Sequence, residues 1–267
     1  MNYIQLDHWD LALAAALILV NAGLSLLYQL GLERRLLIAA ARMVVQLTLV
    51  GLVLKALFAA HSPWLTGLVA LVMVAFAGRE AMARQDRRFH GWWSYGIGTS
   101  AMCVAAMLVT IFALTTQFED AAWYEPRIAI PLLGMILGNT MNGVSLGLDR
   151  LLAEVTAGRA AVEARLMLGS DIRTAMQRPV RDAIRAGMIP TVNAMAATGL
   201  VSLPGMMTGQ ILAGVEPEQA VKYQILVMFL IGGGTALGVF AAVTLGSQRL
   251  TDGRHRLRLD RLRPPDA

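Results

Sequence analysis

The chain has 267 residues, 56% of them hydrophobic and 15% charged, with a mean hydropathy of +0.56. That balance is too apolar for a soluble domain of this length and defines an all-α integral membrane protein. The net charge of +5 would ordinarily bring nucleic acid to mind, but the placement of the charges gives a better account and no nucleic-acid partner is expected.

Taken in chain order, apolar runs of the roughly 20 residues needed to cross a bilayer fall at about Leu11–Leu30, Leu36–Phe58, Pro63–Gly78, Gly96–Thr116, Ile128–Leu148, Met188–Ala213 and Ala220–Gly246. About seven transmembrane helices are therefore expected. The first run is expected to persist as a helix, because no Lys or Arg precedes Arg34 and a signal peptide would carry a basic start. The third is expected to continue as a helix from Arg79 to Arg84. Lone Cys103 excludes a disulfide framework within the chain, and His8, His61, His90 and His255 lack metal-ligand spacing, so no metal site is expected.

Basic residues orient the crossings. Of the 23 Lys and Arg, all but Arg42, Lys55, Arg127 and Lys222 fall after helices one, three, five or seven. The opposite side carries Asp7, Asp10, Glu119, Asp120, Glu125, Glu216 and Glu218. The amino terminus is thus expected outside and the carboxyl terminus inside. Trp9, Trp64, Trp92, Trp93 and Trp123, with Tyr3, Tyr28, Tyr95, Tyr124 and Tyr223, sit at expected helix ends, where amphipathic rings favour the headgroup layer.

The expected domain organisation is a transmembrane domain over 1–248 and a basic, disordered cytoplasmic tail over 249–267. Within the first, the inner segment 149–187 has the composition of a surface helix, with Pro179 expected to break it. It is suited to lie on anionic lipid or to dock a cytoplasmic partner. The chain carries no phosphate-cradling loop of its own, since neither Lys55 nor Lys222 follows a glycine. It is expected to be no enzyme and to bind no cofactor.

The sixth run is unusual. Ser202, Pro204, Gly205, Thr208 and Gly209 interrupt its centre, and proline removes a backbone donor. Broken helices at mid-membrane depth are tolerated where protein or a water-filled cavity covers them, and they mark transport sites. Asn193, Ser202, Met206, Met207 and Gln210 flank the break. On helix five, Met135, Asn139, Asn142 and Asp149 share roughly one face. Two readings stand for the asparagines: lining of a path, or hydrogen-bonded glue between helices. The methionines, among 15 in the chain, fit adaptable core filler better than a metal site. Arg42 on helix two is an intramembrane charge, for which snorkelling or a salt bridge to Asp149 is favoured. Pairs of glycines four apart, at 134/138, 143/147, 205/209 and 234/238, are expected to pack helices closely.

Glu163, Ala164, Arg165 and Gly169 resemble the Glu-Ala-Ala-x-x-x-Gly loop by which ABC permeases engage their ATPase, although Arg165 replaces the second alanine and no Ile-x-Leu-Pro follows. Together with PLLGMILGNTMN over 131–142, GMIPTVNAMAATGLVSLPGMMTGQILAG over 187–214 and EPEQAVKYQILVMF over 216–229, this loop is similar to the FetB-type permease family, iron-export ABC permeases related to plant aluminium-tolerance half-transporters. The resemblance implies a paired permease with two copies of a separate ATPase that holds ATP and Mg, moving iron outward. An ion-driven secondary transporter, a membrane scaffold, or an ABC permease for a sugar nucleotide or lipid stay open as alternatives.

Overall fold

The computed structural model describes residues 7–60, 62–116 and 125–263; Tyr3, His61, Glu119, Asp120, Trp123 and Tyr124 lie outside the described residues. The described elements are helical: α1 (His8–Leu27), α2 (Glu33–Ala60), α3 (Pro63–Ala83), α4 (Trp93–Thr116), α5 (Pro126–Ala157), α6 (Arg159–Met167), α7 (Ile172–Ala197), α8 (Gly205–Leu212) and α9 (Pro217–Arg249), with a 3-10 turn at Leu259–Arg261. Six of them, α1 to α5 and α9, are long and apolar enough to cross a membrane. The apolar run over Met188–Ala213 is not one helix but the end of α7, a break and α8. As expected, α3 runs past Arg79, and Arg84 caps it.

The chain divides into two units at residues 61/62. In the first, α1 and α2 form a hairpin whose turn is tied by Ser25, which donates to Glu33 Oε2 at 2.8 Å and accepts from the Leu32 N–H at 3.0 Å.

In the second, α4, α5 and α9 form the core, with α3 and α7 packed on it. Without a hydrophobic drive in lipid, close backbone approach holds such helices together. A Cβ on Gly187 would stand 2.7 Å from the Gly143 carbonyl, and one on Gly143 would stand 2.9 Å from the Gly187 carbonyl, so α5 and α7 touch backbone to backbone. A Cβ on Gly238 would overlap the Thr140 side chain of α5. Of the expected packing pairs, 143/147 and 234/238 meet neighbouring helices, whereas Gly138, Gly205 and Gly209 have open space at the Cβ position.

These contacts fix the register. Gly143 stands against Gly187 and Val239, Gly147 against Ala183 and Val243, and Met195 against Gly232. Thus α5 and α9 run parallel and α7 runs antiparallel to both. Beyond Gly232, α9 continues to Pro217, while α7 stops at Ala197. The break therefore falls part-way along α9, and α8 packs against the remainder of that helix.

Two expectations are corrected. Pro179 does not break the segment 149–187: α5 extends to Ala157, and Pro179 is buried inside continuous α7. Proline leaves the Ala175 carbonyl without its usual donor, and Arg165 Nη1 reaches it at 3.4 Å. Nor is the basic tail disordered over its described part. Leu250 is fully buried, and Leu257, Leu259 and Leu262 pack on the core between the arginines. Leu262 bridges Phe89, the His90 N–H donates to the Arg261 carbonyl at 2.8 Å, and the Arg263 N–H donates to the Arg88 carbonyl at 2.8 Å. Arg249 lies over the Trp93 ring, 4.0 Å from its centroid.

Candidate functional site: a broken helix and an exposed apolar turn

Local sequence makes the break. Gly199 takes φ +95°, in the left-handed region that favours glycine. Its N–H donates to the Ser202 carbonyl at 2.9 Å, while the Val201 and Ser202 N–H groups both return to the Ala197 carbonyl at 3.0 and 3.2 Å. Pro204 then stands at the N-cap of α8 in extended conformation. The chain thus makes a compact turn at 198–204 that satisfies part of its own backbone. Leu200, Val201, Ser202 and Leu203 are all exposed on it.

Around this turn, Asn193 is exposed on α7, and Met206, Met207 and Gln210 are half-buried on α8. Thr208 Oγ1 donates to the Pro204 carbonyl at 3.2 Å. Gln210 Oε1 on α8 and Gln224 Oε1 on α9 are buried acceptors that lack a hydrogen-bond partner among the described residues. Gln224, an isolated amide within an apolar run, escaped the sequence reading.

On α5, Met135 and Asn139 are half-buried and Asn142 is exposed. Asn139 Nδ2 donates to the Met135 carbonyl of its own helix at 2.8 Å, whereas Asn142 Oδ1 accepts from the Arg84 guanidinium of α3. One asparagine is satisfied within its helix and the other ties two helices together. Met135 and Met206 pack against the core as filler. Asp149, weighed as a partner for Arg42, accepts from the Asp86 N–H at 3.1 Å; Arg42 is an exposed residue of α2. A cleft of about 540 Å³ between α5 and α7 carries Leu146, Asp149, Arg150, Asp182, Arg185 and Ile189, apolar toward the span and charged toward the arginine-rich end. Among the described residues, no group of three or more His, Cys, Asp or Glu could hold a metal ion.

At that arginine-rich end, α6 closes on Gly169. Its φ of +88° lets the Gly169 and Ser170 N–H groups return to the Leu166 and Arg165 carbonyls, both at 3.0 Å, which is the glycine-terminated helix end expected where a chain must stop sharply. Asp171 then caps α7 by accepting from the Thr174 N–H at 2.7 Å, and the Thr174 side chain together with that N–H holds its carboxyl below the usual range. His255 Nδ1 of the carboxyl-terminal segment accepts from the Ile172 N–H at 3.3 Å. The consequence is a rigid turn presenting Met167 and Leu168, 87% and 86% exposed. Hydropathy windows hide this pair because α6 is charged elsewhere. Glu163 is paired with Arg159 at 2.7 Å, Ala164 is exposed, and Arg165 turns inward to α7. The motif therefore divides its labour: Arg165 positions the turn and the exposed residues after it are what a partner would meet.

Long apolar helices, backbone-close packing through glycine and a central helix broken at Gly199–Pro204 define a multi-pass membrane protein. The model of the family described as "Uncharacterised protein family (UPF0014)" matches residues 8–251, and the chain belongs to this family. It is 40% identical over 85% of its length to the UPF0014 membrane protein slr1647 of Synechocystis, covering 87% of that protein. It is 34% identical over 98% of its length to the probable iron export permease protein FetB of Escherichia coli, covering 99% of it. Similarity extends to the protein ALUMINUM SENSITIVE 3 of Arabidopsis thaliana, at 32% identity over 85% of this chain and 82% of the plant protein. No solved structure matches.

Proposed function

We propose that this chain is the permease subunit of an ATP-driven exporter of iron in a bacterial inner membrane, working as a pair of copies with a separate ATPase. The cargo assignment rests on likeness to the FetB permease along nearly the whole chain. The observation that carries the coupling is the exposed Met167–Leu168 pair, held on a turn fixed by Gly169, Asp171 and Arg165. An apolar pair held rigidly at the surface, next to the helix that runs into the break, suits transmission of force from a partner. In this reading the chain crosses the membrane seven times, with the end of α7 and α8 together forming the sixth crossing. Its amino terminus is outside and its arginine-rich end in the cytoplasm. ATP and Mg belong to the partner. Cargo passes along α5, the end of α7 and α8, touched by Asn139, Asn193, Ser202 and Gln210. Oxygen donors without a carboxylate or imidazole suit weak, transient holding of Fe(II).

The test is ATP hydrolysis by a candidate ATPase co-purified with this chain in lipid, with and without Fe(II). The expected result is a stable complex whose turnover rises with iron and loses that response in Gly169→Arg, where a bulky side chain must adopt a positive φ. Retention of no ATPase, with flux persisting under an ion gradient alone, overturns the proposal in favour of a secondary transporter.

A further inference from the structure

Beside the Met167–Leu168 turn lies a cleft of about 600 Å³ between α6 and α7. Its wall carries Arg165, Arg178 and Arg181, hydrogen-bonding side chains from Ser170 and Thr174, and one carboxylate, Asp182. Asp182 stands 3.8 Å from Arg178, a loose pair with the Arg178 side chain 79% exposed. Arg165 is committed to the Ala175 carbonyl. The cleft therefore keeps an excess of positive charge directed outward, adjoining an exposed apolar pair.

Resting on the docking reading above, we infer that the partner presents an apolar socket for Met167 and Leu168, rimmed by carboxylates that enter the arginine cleft. Guanidinium groups recognise carboxylate in a planar fork, and opposed charge around an apolar anchor raises the rate and selectivity of association. A lipid phosphate could satisfy Arg181, but depth favours a protein at the outer part of the cleft. Asp149, the first charged residue after the apolar run of α5, shares a cleft with Arg185, and Arg181, Arg178 and Thr174 lie roughly 6, 10 and 16 Å along α7 from Arg185 at a rise of about 1.5 Å per residue. The Met167–Leu168 turn precedes Thr174 in the chain, at the end of α7 remote from the span. The cleft thus runs outward from Arg181 at headgroup depth, and its outer end, at Arg178, Ser170 and Thr174 beside the apolar turn, is within reach of a docked protein.

The experiment measures binding of the co-purifying ATPase to the full chain in nanodiscs containing phosphatidylglycerol, at about 0.05 and 0.5 M salt, a range over which screening strengthens several-fold. The expected result is wild-type affinity that falls with salt and a loss of about tenfold or more in Arg178→Glu/Arg181→Glu, at an unchanged unfolding temperature. Arg178→Gln/Arg181→Gln should remove most of the salt dependence. Met167→Asp/Leu168→Asp tests the docking reading separately. If it abolishes binding while both arginine pairs bind as wild type, the docking turn stands and the acidic rim is overturned. If neither kind of variant alters binding, both fall. Phosphatidylglycerol retained by the chain without ATPase is quantified in parallel; arginine variants that shed lipid yet keep ATPase affinity would reassign the cleft to the membrane and overturn the inference.

Discussion

The guanidinium of Arg165 donates a 3.4 Å hydrogen bond to the carbonyl of Ala175, the acceptor that Pro179 leaves unfilled one turn later. This bond clamps α6 onto α7 and explains how a buried proline sits inside an unbroken helix. It predicts a specific non-additivity. Arg165→Ala should cost about 1 kcal/mol in the Pro179 background and close to nothing in Pro179→Ala, because an alanine at that position restores the helical donor. Thermal unfolding of the four proteins of this double-mutant cycle checks it, and equal costs in both backgrounds would contradict the clamp.

The crossing of α5 and α7 leaves no room for a methyl group. Gly187→Ala places a Cβ 2.7 Å from the Gly143 carbonyl and 2.8 Å from Val239 Cγ1. A backbone carbonyl in a packed helix cannot retreat cheaply, so a loss of about 1–3 kcal/mol is expected. Gly209→Ala, with nothing within 4 Å of its Cβ position, serves as the control and should unfold within about 0.5 kcal/mol of wild type. Unfolding in the same detergent compares the two.

Much of this architecture was legible because hydropathy and glycine spacing act locally. The apolar runs located α1 to α5 and α9, and the punctuation at Ser202 and Pro204 located the break, whereas Gly205, Thr208 and Gly209 lie within helical α8. What stayed hidden depends on partners distant in sequence. Pro179 read as a breaker because its rescue comes from Arg165, on another helix. The carboxyl-terminal segment read as disordered because its arginines outweigh Leu250, Leu257, Leu259 and Leu262, whose burial requires the loop at Phe89 to receive them. The bond from Arg84 to Asn142 likewise joins helices far apart in the chain. Arg165 illustrates the same limit in the α6–α7 turn, where it looked like a departure from a motif and is the residue that ties α6 to α7.

Acid should loosen the carboxyl-terminal segment at a defined pH. The Arg258 guanidinium makes two hydrogen bonds to Asp260, at 2.9 and 2.8 Å, and holds its carboxyl down to about 2. Asp252 is lowered as well, chiefly by the Arg256 N–H. Both folded values lie below the unfolded ones, so their stabilisation is complete above the unfolded carboxylate range near 4 and is lost as pH falls toward about 2. Amide hydrogen exchange of His90 and Arg263, which bond across this segment, should quicken between those limits. Asp260→Asn should show the faster exchange already at neutral pH. Exchange that stays flat across the window in both proteins would mean that the segment is held by its leucines alone.

The two exposed asparagines separate packing from path. Asn142 is engaged by Arg84, so Asn142→Leu strands a guanidinium and should cost about 0.6–1.7 kcal/mol, the range of interhelical side-chain hydrogen bonds in membranes. Asn193 is exposed on α7, one turn before the break. Asn193→Leu should therefore leave unfolding within about 0.5 kcal/mol of wild type. If the path follows this face, the same change removes an oxygen donor where cargo turns past Gly199, and iron flux into inverted vesicles should fall about tenfold, equivalent to roughly 1.4 kcal/mol of transition-state stabilisation. Flux unchanged by Asn193→Leu but reduced in Gln210→Leu would move the path to the α8–α9 side, where the Gln210 and Gln224 carbonyls are buried without partners. Wild-type flux in a stable protein that carries Asn193→Leu, Ser202→Ala and Gln210→Leu together would remove the broken helix from the pathway, since none of the polar side chains assigned to cargo at the break would then be needed.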